Sequence, residues 1–265
     1  MKIGIVAKND EKAINISKKL IKFLNNKKIG YYIEKKIAER LGEKGKEIKE
    51  MEVDYIIALG GDGTILRTVH YTGGKIPILG INFGTRGFLT EVEPTDWKSA
   101  IERVIDGKFK IEMRDKLEVV SKEKLGEVLN EVALVSSLPV QMLHLEILID
   151  GFSIGKLKAD GIIVSTPTGS TAYCVSAGGP YVHPDVNAFI VTPICVFDGI
   201  RRAIVVPNKS EVEIKVICGE SPVAVLDGKH IFEVKDNIKV RLSKNKAKFI
   251  KLDRNFYEKI RKVDS

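Results

Sequence analysis

The sequence predicts an α/β N-terminal domain with an open, mostly parallel sheet, then an all-β C-terminal domain, with the C-terminal segment returning to the first. Three observations predict this. Residues 53–59 form a nearly unbroken apolar run of strand length, β-branched at three of seven positions, that empties into Gly60-Gly61-Asp62-Gly63-Thr64. Residues 76–82 form a second short apolar strand that ends in polar and small residues, Asn82, Gly84, Thr85, Arg86 and Gly87; strands ending this way describe an open sheet with its ligand crevice along that edge. Near residue 110 helical spacing gives way to short alternating strands. The expected division is residues 1–110 with 245–265, and residues 111–244.

Residues 2–7 read as the first strand, and Asn9-Asp10 can cap a helix over 11–25 with Ala13, Ile16, Leu20, Phe23 and Leu24 on one face. Residues 34–51 are charge-dense and carry Gly42 and Gly45, which suggests a solvated helix and loop. After the glycine loop, Ile65, Leu66 and Val69 have helical spacing, with Thr64 or Asp62 placed to cap the first turn. Thr95 is expected to cap a helix that buries Trp97, Ala100, Ile101, Val104 and Ile105 and stops at Gly107, with Trp97 a packing residue. Strands follow at 117–120, 127–135, 143–149, 162–165, 189–194, 212–217, 223–226 and 238–242. Asp150-Gly151 and Asp227-Gly228 sit where two-residue hairpin turns are expected. Residues 253–262 again have helical spacing, through Phe256, Tyr257 and Ile260, and are expected to fold back onto the first domain.

The 265 residues are 44% hydrophobic and 29% charged, enough for a sizeable core in a soluble chain. No run approaches the ~18 apolar residues of a membrane span, and the apolar stretch at the N-terminus is too short for a signal peptide. Cys174, Cys195 and Cys218 are widely spaced with no CxxC or HxxxH pattern, as expected of reduced thiols in a cytoplasmic protein, not metal ligands. The net charge of +8 is spread as lysine rather than gathered with aromatics on one stripe. That disfavours nucleic acid and suits small polyanions such as nucleotides.

Two stretches carry chemistry. A glycine loop before a helix lets backbone N–H groups approach a phosphate, which points to Gly60, Gly61, Gly63 and Thr64. A carboxylate within it would repel a phosphate unless a neighbouring hydroxyl needs a base, so Asp62 is either that base or the Asp of an ordinary Asp-Gly turn. In the all-β region, Ser165-Thr166-Pro167-Thr168-Gly169-Ser170-Thr171 bears five hydroxyls between apolar flanks, suited to hydrogen-bonding a ribose or an amide. Tyr173 is either core or packs on a base. Asn130-Glu131 interrupts an apolar strand, so one of the two should face inward unless a bulge intervenes. Asp160 reads as a turn residue or a ligand contact.

The chain resembles the NAD kinases. The resemblance rests on GGDGT at 60–64, INFGTRGFL at 81–89, Asn130-Glu131, ADGIIVSTPTGSTAY at 159–173, AGGP at 177–180 and TPIC at 192–195, in the family's order over nearly the whole chain. GGDGT alone is shared with diacylglycerol- and sphingosine-type lipid kinases; the long hydroxyl-rich segment is far more specific. The resemblance implies transfer of the γ-phosphoryl of ATP, or of polyphosphate, to the 2′-hydroxyl of the adenosine ribose of NAD, giving NADP. It implies that Asp62 orients or deprotonates that hydroxyl and that Gly61 and Gly63 lie against phosphates. NAD would be held by Gly63, Leu66, Phe88, Asn130, Glu131, Asp160, Thr168, Thr171, Ala172, Tyr173 and Ser176. Asp160 would meet the nicotinamide amide, with the site near a subunit interface of a homodimer or homotetramer. Mg²⁺ or another divalent cation would come with ATP. The alternatives are a lipid kinase sharing GGDGT and a non-catalytic NAD(P)-binding regulator. The two stretches are expected to open on one cleft. Where many members read ICPHSLSFRPIV, this chain carries Val196-Phe197 and Ala203, so no role is carried over to Phe197 or Arg202.

Overall fold

The computed structural model describes residues 1–84, 87–253 and 255–261. Thr85, Arg86 and Lys262, which belong to segments singled out above, lie outside the described residues. Contacts divide the chain into one unit of residues 1–113 and 246–265 and a second of residues 114–245.

In the first unit the elements run β1 (Lys2–Ala7), α1 (Glu11–Asn26), β2 (Gly30–Glu34), α2 (Lys35–Leu41), β3 (Gly45–Lys46), β4 (Tyr55–Gly60), α3 (Asp62–Thr72), β5 (Ile78–Asn82) and α4 (Trp97–Ile105). The strands pair in parallel in the order β3-β2-β1-β4-β5. The order reverses between β1 and β4, and in open α/β sheets ligands bind outside the carboxyl ends of the strands at such a reversal. The ends that meet there are Ala7 and the Gly60-Gly61 turn.

Asp10 caps α1 by accepting the Ala13 N–H at 2.9 Å, worth about 1 kcal/mol. Ile3, Ile5, Leu20, Leu24, Ile57, Leu59, Ile81 and Ile101 share one buried cluster. Trp97 packs edge-on against Phe23, centroids 5.7 Å apart. Three expectations need correction. The charge-dense stretch holds a helix, α2, as expected, but also the short strand β3, and it is less solvated than its composition suggests, since Ile37, Ala38, Ile48 and Met51 are buried. α3 is preceded by Gly61 with no side-chain cap, because Asp62 is already helical and its carboxylate is engaged elsewhere. Thr95 does not cap α4 either: Asp96 holds that position, and the Thr95 hydroxyl donates to the Asp96 carboxylate.

The second unit begins within β6 (Lys110–Val120) and continues through β7 (Lys124–Val128), β8 (Glu131–Ser136), β9 (Leu143–Ile149), β10 (Phe152–Ala159) and β11 (Gly161–Ser165). After a 3-10 turn over Thr168–Thr171 come α5 (Tyr173–Ser176), β12 (Ala188–Ile194), β13 (Asp198–Gly199), β14 (Ile204–Pro207), β15 (Val212–Cys218), β16 (Pro222–Leu226), β17 (His230–Glu233) and β18 (Asn237–Lys251). One antiparallel sheet has the order β14-β12-β11-β8-β16-β17, and the other contains β13-β10-β9-β15-β18. Leu145, Ile147, Ile214 and Val240 of one sheet and Leu134, Ile162, Val164 and Phe189 of the other bury one core, which makes a β-sandwich.

Asp150 (φ 52°) and Gly151 (φ 83°) form the two-residue β9–β10 turn with both residues left-handed. Asp227-Gly228 opens a longer loop, since Leu226 pairs with His230. The C-terminal half of β18 joins the first unit, with Phe249 opposite Ile78, and α6 (Phe256–Arg261) follows it there. The return expected of this segment is observed. No helix among the described residues is long and apolar enough to cross a membrane.

Candidate functional site

At the edge of the first unit, β4 ends at Gly60 and α3 begins at Asp62. A Cβ on Gly60 would lie 2.3 Å from the Thr64 hydroxyl, so this glycine lets the first helical turn close over buried Thr64. A Cβ on Gly61 or Gly63 would meet nothing within 4 Å, which leaves open space above the loop. The Asp62 carboxylate accepts the Phe88 N–H at 2.9 Å and the Leu89 N–H at 3.0 Å. Gly87 allows the approach: a Cβ there would crowd the Thr90 hydroxyl and sit 3.1 Å from the Asp62 carboxylate.

Burial pushes the Asp62 carboxyl above its ordinary value, while the Phe88 and Leu89 N–H groups and the Lys259 charge oppose the rise. Its place in the first turn of α3 favours the charged form as well. The result is a fixed carboxylate with raised basicity at the sheet's reversal point. Leu66 and Phe88 are half-buried, and the Phe88 ring lies 6.5 Å from that of Phe256.

In the second unit, β7 and β8 do not form one strand. The chain bends at Leu129-Asn130, so Asn130 and Glu131 are both buried rather than on opposite faces. Asp227 holds the bend. Its carboxylate accepts the N–H groups of Leu129 at 2.9 Å, Asn130 at 2.8 Å and Glu131 at 3.2 Å. Thr166 completes it, donating its N–H to the Asn130 carbonyl at 2.9 Å and its hydroxyl to the Leu129 carbonyl at 2.6 Å. Gly169 packs flat on this backbone, where a Cβ would stand 2.2 Å from the Asn130 carbonyl oxygen.

The hydroxyl-rich loop divides its labour. Ser170 donates to the Pro167 carbonyl and accepts the Val182 N–H, and Thr171 donates to the Thr168 carbonyl. The buried Asn130 Oδ1, Glu131 Oε2 and Ser165 Oγ have no hydrogen-bond partner in the protein. Polar atoms buried without partners are costly, so each calls for a hydrogen-bonding group from outside the chain, water or ligand. Tyr173 is 44% exposed, which removes the core alternative, while its N–H meets the Glu131 carboxylate. Ala172 is half-buried and Ser176 is exposed.

Asp160 is not brought to this cluster. Gly161 pairs with Val135 and Ser165 with Glu131, so Asp160 lies at the other end of β11, roughly 16 Å away at ~3.3 Å per residue.

Burial and then the Asp227 charge push the Glu131 carboxyl up to about 8 from an ordinary 4.5. The folded protein therefore keeps a proton that the unfolded chain loses above about pH 4.5, and stability falls as pH rises through this window. The slope is at most about 1.4 kcal/mol per pH unit. Melting temperature without ligand is expected to drop between pH 5 and pH 8, and Glu131→Gln to flatten the curve. An unchanged slope in that variant would remove Glu131 as the source.

Two residues of these sites escaped the sequence reading. Asp227 was hidden in an ordinary turn dipeptide, and Lys259, which touches the Asp62 loop, sits on a short polar helix.

The family model described as the ATP-NAD kinase N-terminal domain matches residues 3–109, and the ATP-NAD kinase C-terminal domain matches residues 129–252. The chain belongs to the ATP-NAD kinase family. It is 44% identical to the NAD kinase of Methanothermobacter thermautotrophicus, over 98% of this chain and 95% of that one. Identity to the NAD kinase of Thermococcus sibiricus is 38%, over 98% and 97%. The crystal structure of an NAD kinase from Archaeoglobus fulgidus in complex with ATP superposes with a TM-score of 0.84 at 27% identity, covering 100% of this chain and 99% of that one. The strand, glycine turn and helix around Asp62 thus lie in the part matched by the family's N-terminal domain, and the Asn130-Glu131 bend and hydroxyl loop in the part matched by its C-terminal domain.

Proposed function

We propose that this ATP-NAD kinase family member transfers the γ-phosphoryl group of ATP to the 2′-hydroxyl of the adenosine ribose of NAD, producing NADP. The observation that carries this reading is the half-buried Asp62 carboxylate, fixed by two backbone N–H groups and made more basic by desolvation. It accepts the proton as the ribose oxygen attacks phosphorus; such assistance is typically worth ~10²–10⁴-fold. Gly60, Gly61, Gly63 and Thr64 form the turn that lies against phosphates, with the open space above Gly61 and Gly63 in support. The remaining rate enhancement comes from positioning and charge neutralisation.

Asn130, Glu131, Thr168, Thr171, Ala172 and Tyr173 hold the adenosine portion. In the neutral state favoured by burial, Glu131 can both donate to and accept from a ribose hydroxyl. Leu66, Phe88 and Ser176 also contact the bound NAD. Among the described residues no group of three or more His, Cys, Asp and Glu side chains could hold a metal ion. Mg²⁺ commonly keeps its waters and binds substrate phosphates. It therefore belongs with the triphosphate, and no residue of the chain is assigned to it.

Incubating the protein with NAD, ATP and Mg²⁺ and following NADP tests the reading. Stoichiometric ADP and NADP are expected. Phosphate transfer to a diacylglycerol or a sphingoid base instead, or NAD binding with no product, would overturn it.

The enzyme works in the cytoplasm as a homodimer or homotetramer, and Asp160 serves the NAD of a neighbouring subunit. The distance of Asp160 along β11 from Glu131 supports this, as do Phe152 and Phe197, 78% and 65% exposed. Light scattering is expected to give two or four chain masses; a monomer at assay concentration contradicts it.

A further inference from the structure

The loop that fixes Asp62 is itself held from its other side. Lys259, on α6 and only 9% exposed, donates from Nζ to the Phe88 carbonyl at 2.8 Å and the Thr90 carbonyl at 2.9 Å. Burying an ammonium group is costly unless it is fully engaged. Here two carbonyl oxygens engage it, and the carboxylate of Glu91 stands at 3.9 Å.

The Phe88 carbonyl and the Leu89 N–H belong to one peptide group. Lys259 donates to its oxygen, and its N–H donates to Asp62 at 3.0 Å. A cation at one end of a peptide and a carboxylate at the other polarise it in the same sense, which strengthens both hydrogen bonds.

The helix carrying Lys259 is tied to the same loop. The Glu91 carboxylate accepts the N–H groups of Leu252 at 2.9 Å and Asp253 at 3.1 Å, together with Lys251 Nζ at 2.9 Å. The Phe88 and Phe256 rings also meet. The charged groups around this loop are thus Asp62 of α3, Glu91 of the loop itself, Arg103 of α4, Lys251 of β18 and Lys259 of α6.

We infer that Lys259 is a positioning residue for the reaction, relaying its charge through the Phe88–Leu89 peptide to orient the Asp62 carboxylate and favour its ionised form. This rests on the role of Asp62 given above. The Lys259 charge opposes the upward push of burial on Asp62, so its loss raises the pH at which the base becomes available.

The test compares wild type, Lys259→Met, Lys259→Arg and Asp62→Asn in the full chain, measuring kcat, KM for NAD and the pH dependence of kcat. A misplaced reacting group can cost ~10²-fold, so Lys259→Met is expected to lower kcat by about ten- to a hundredfold with KM for NAD little changed. Its acid limb is expected to move to higher pH, with both effects largely restored in Lys259→Arg. The Leu89 amide proton resonance should shift upfield in Lys259→Met as its hydrogen bond weakens. If Lys259→Met does not fold, Lys259→Gln carries the same comparison.

Wild-type kcat and an unmoved acid limb in the uncharged variant, with Asp62→Asn inactive, overturn the inference and leave the role of Asp62 standing. A lowered kcat with the acid limb in place and no rescue by arginine marks a merely structural lysine and overturns it equally. Full turnover in Asp62→Asn removes the reading on which it rests.

Discussion

Asp62→Asn is expected to lower kcat by about 10²–10⁴-fold while leaving NAD affinity largely intact. The amide cannot take a proton from the attacking hydroxyl. The groups placed around the nucleotide's adenosine portion lie on other elements, between Asn130 and Tyr173. The substitution also turns an NH₂ toward one of the two N–H groups of Phe88 and Leu89 that the carboxylate now accepts. A donor facing a donor leaves that N–H unsatisfied, a cost of about 1–3 kcal/mol where it is buried. A modest fall in the urea midpoint should accompany the loss of turnover. Steady-state NADP formation gives kcat, and calorimetric titration with NAD gives affinity. Turnover like that of wild type would remove Asp62 from the proton transfer. Lost NAD binding would make it a binding group.

Asp227→Ala is expected to be the most destabilising single change in the second unit. It strips the acceptor from three consecutive N–H groups, those of Leu129, Asn130 and Glu131. Each buried N–H left bare costs about 1–3 kcal/mol, although local relaxation makes the sum less than additive. An overall loss of several kcal/mol follows, together with a disordered Asn130-Glu131 bend and a fall in NAD affinity of at least about tenfold, the equivalent of one lost hydrogen bond. Without the Asp227 charge, Glu131 should also titrate below its present value of about 8.

The other Asp-Gly turn supplies the control. Asp150 accepts one exposed N–H, that of Glu211, at 2.9 Å. Asp150→Ala should therefore cost about 1 kcal/mol or less and leave NAD affinity alone. Similar urea midpoints for the two variants would mean that Asp227 is only a turn residue.

These two aspartates mark the limit of what the sequence makes legible. An Asp-Gly dipeptide after an apolar strand reads as a turn in both places, and nothing local tells that one carboxylate folds inward onto a bend almost a hundred residues earlier in the chain. Asp62 was legible as a candidate base because glycines isolate it between a buried strand and a helix. Its conformation was not: the backbone partners that draw it from the capping position come from a loop 26 residues later.

β4, β5 and β11 announce themselves as apolar runs because they lie inside their sheets, covered on both faces. β2, β3 and β10 are at or near sheet edges, where β2 carries half-buried tyrosines, β3 is two residues long and β10 carries lysines and an exposed Phe152, so their alternation is diluted. The break between β7 and β8 was signalled only by the Asn130-Glu131 pair. Lys259 gave no signal at all, since one lysine among Tyr257, Glu258 and Arg261 looks like any solvated face.

The most direct measurement is a crystal structure of the protein with NAD bound. The adenosine ribose O2′ is expected within about 2.6–3.2 Å of an Asp62 carboxylate oxygen, the reach a general base needs. Asn130 and Glu131 are expected on the same nucleoside, through the side-chain oxygens that have no partner in the protein. NAD seated on Asn130 and Glu131 with its 2′-hydroxyl directed away from Asp62, in every subunit, would contradict the assignment.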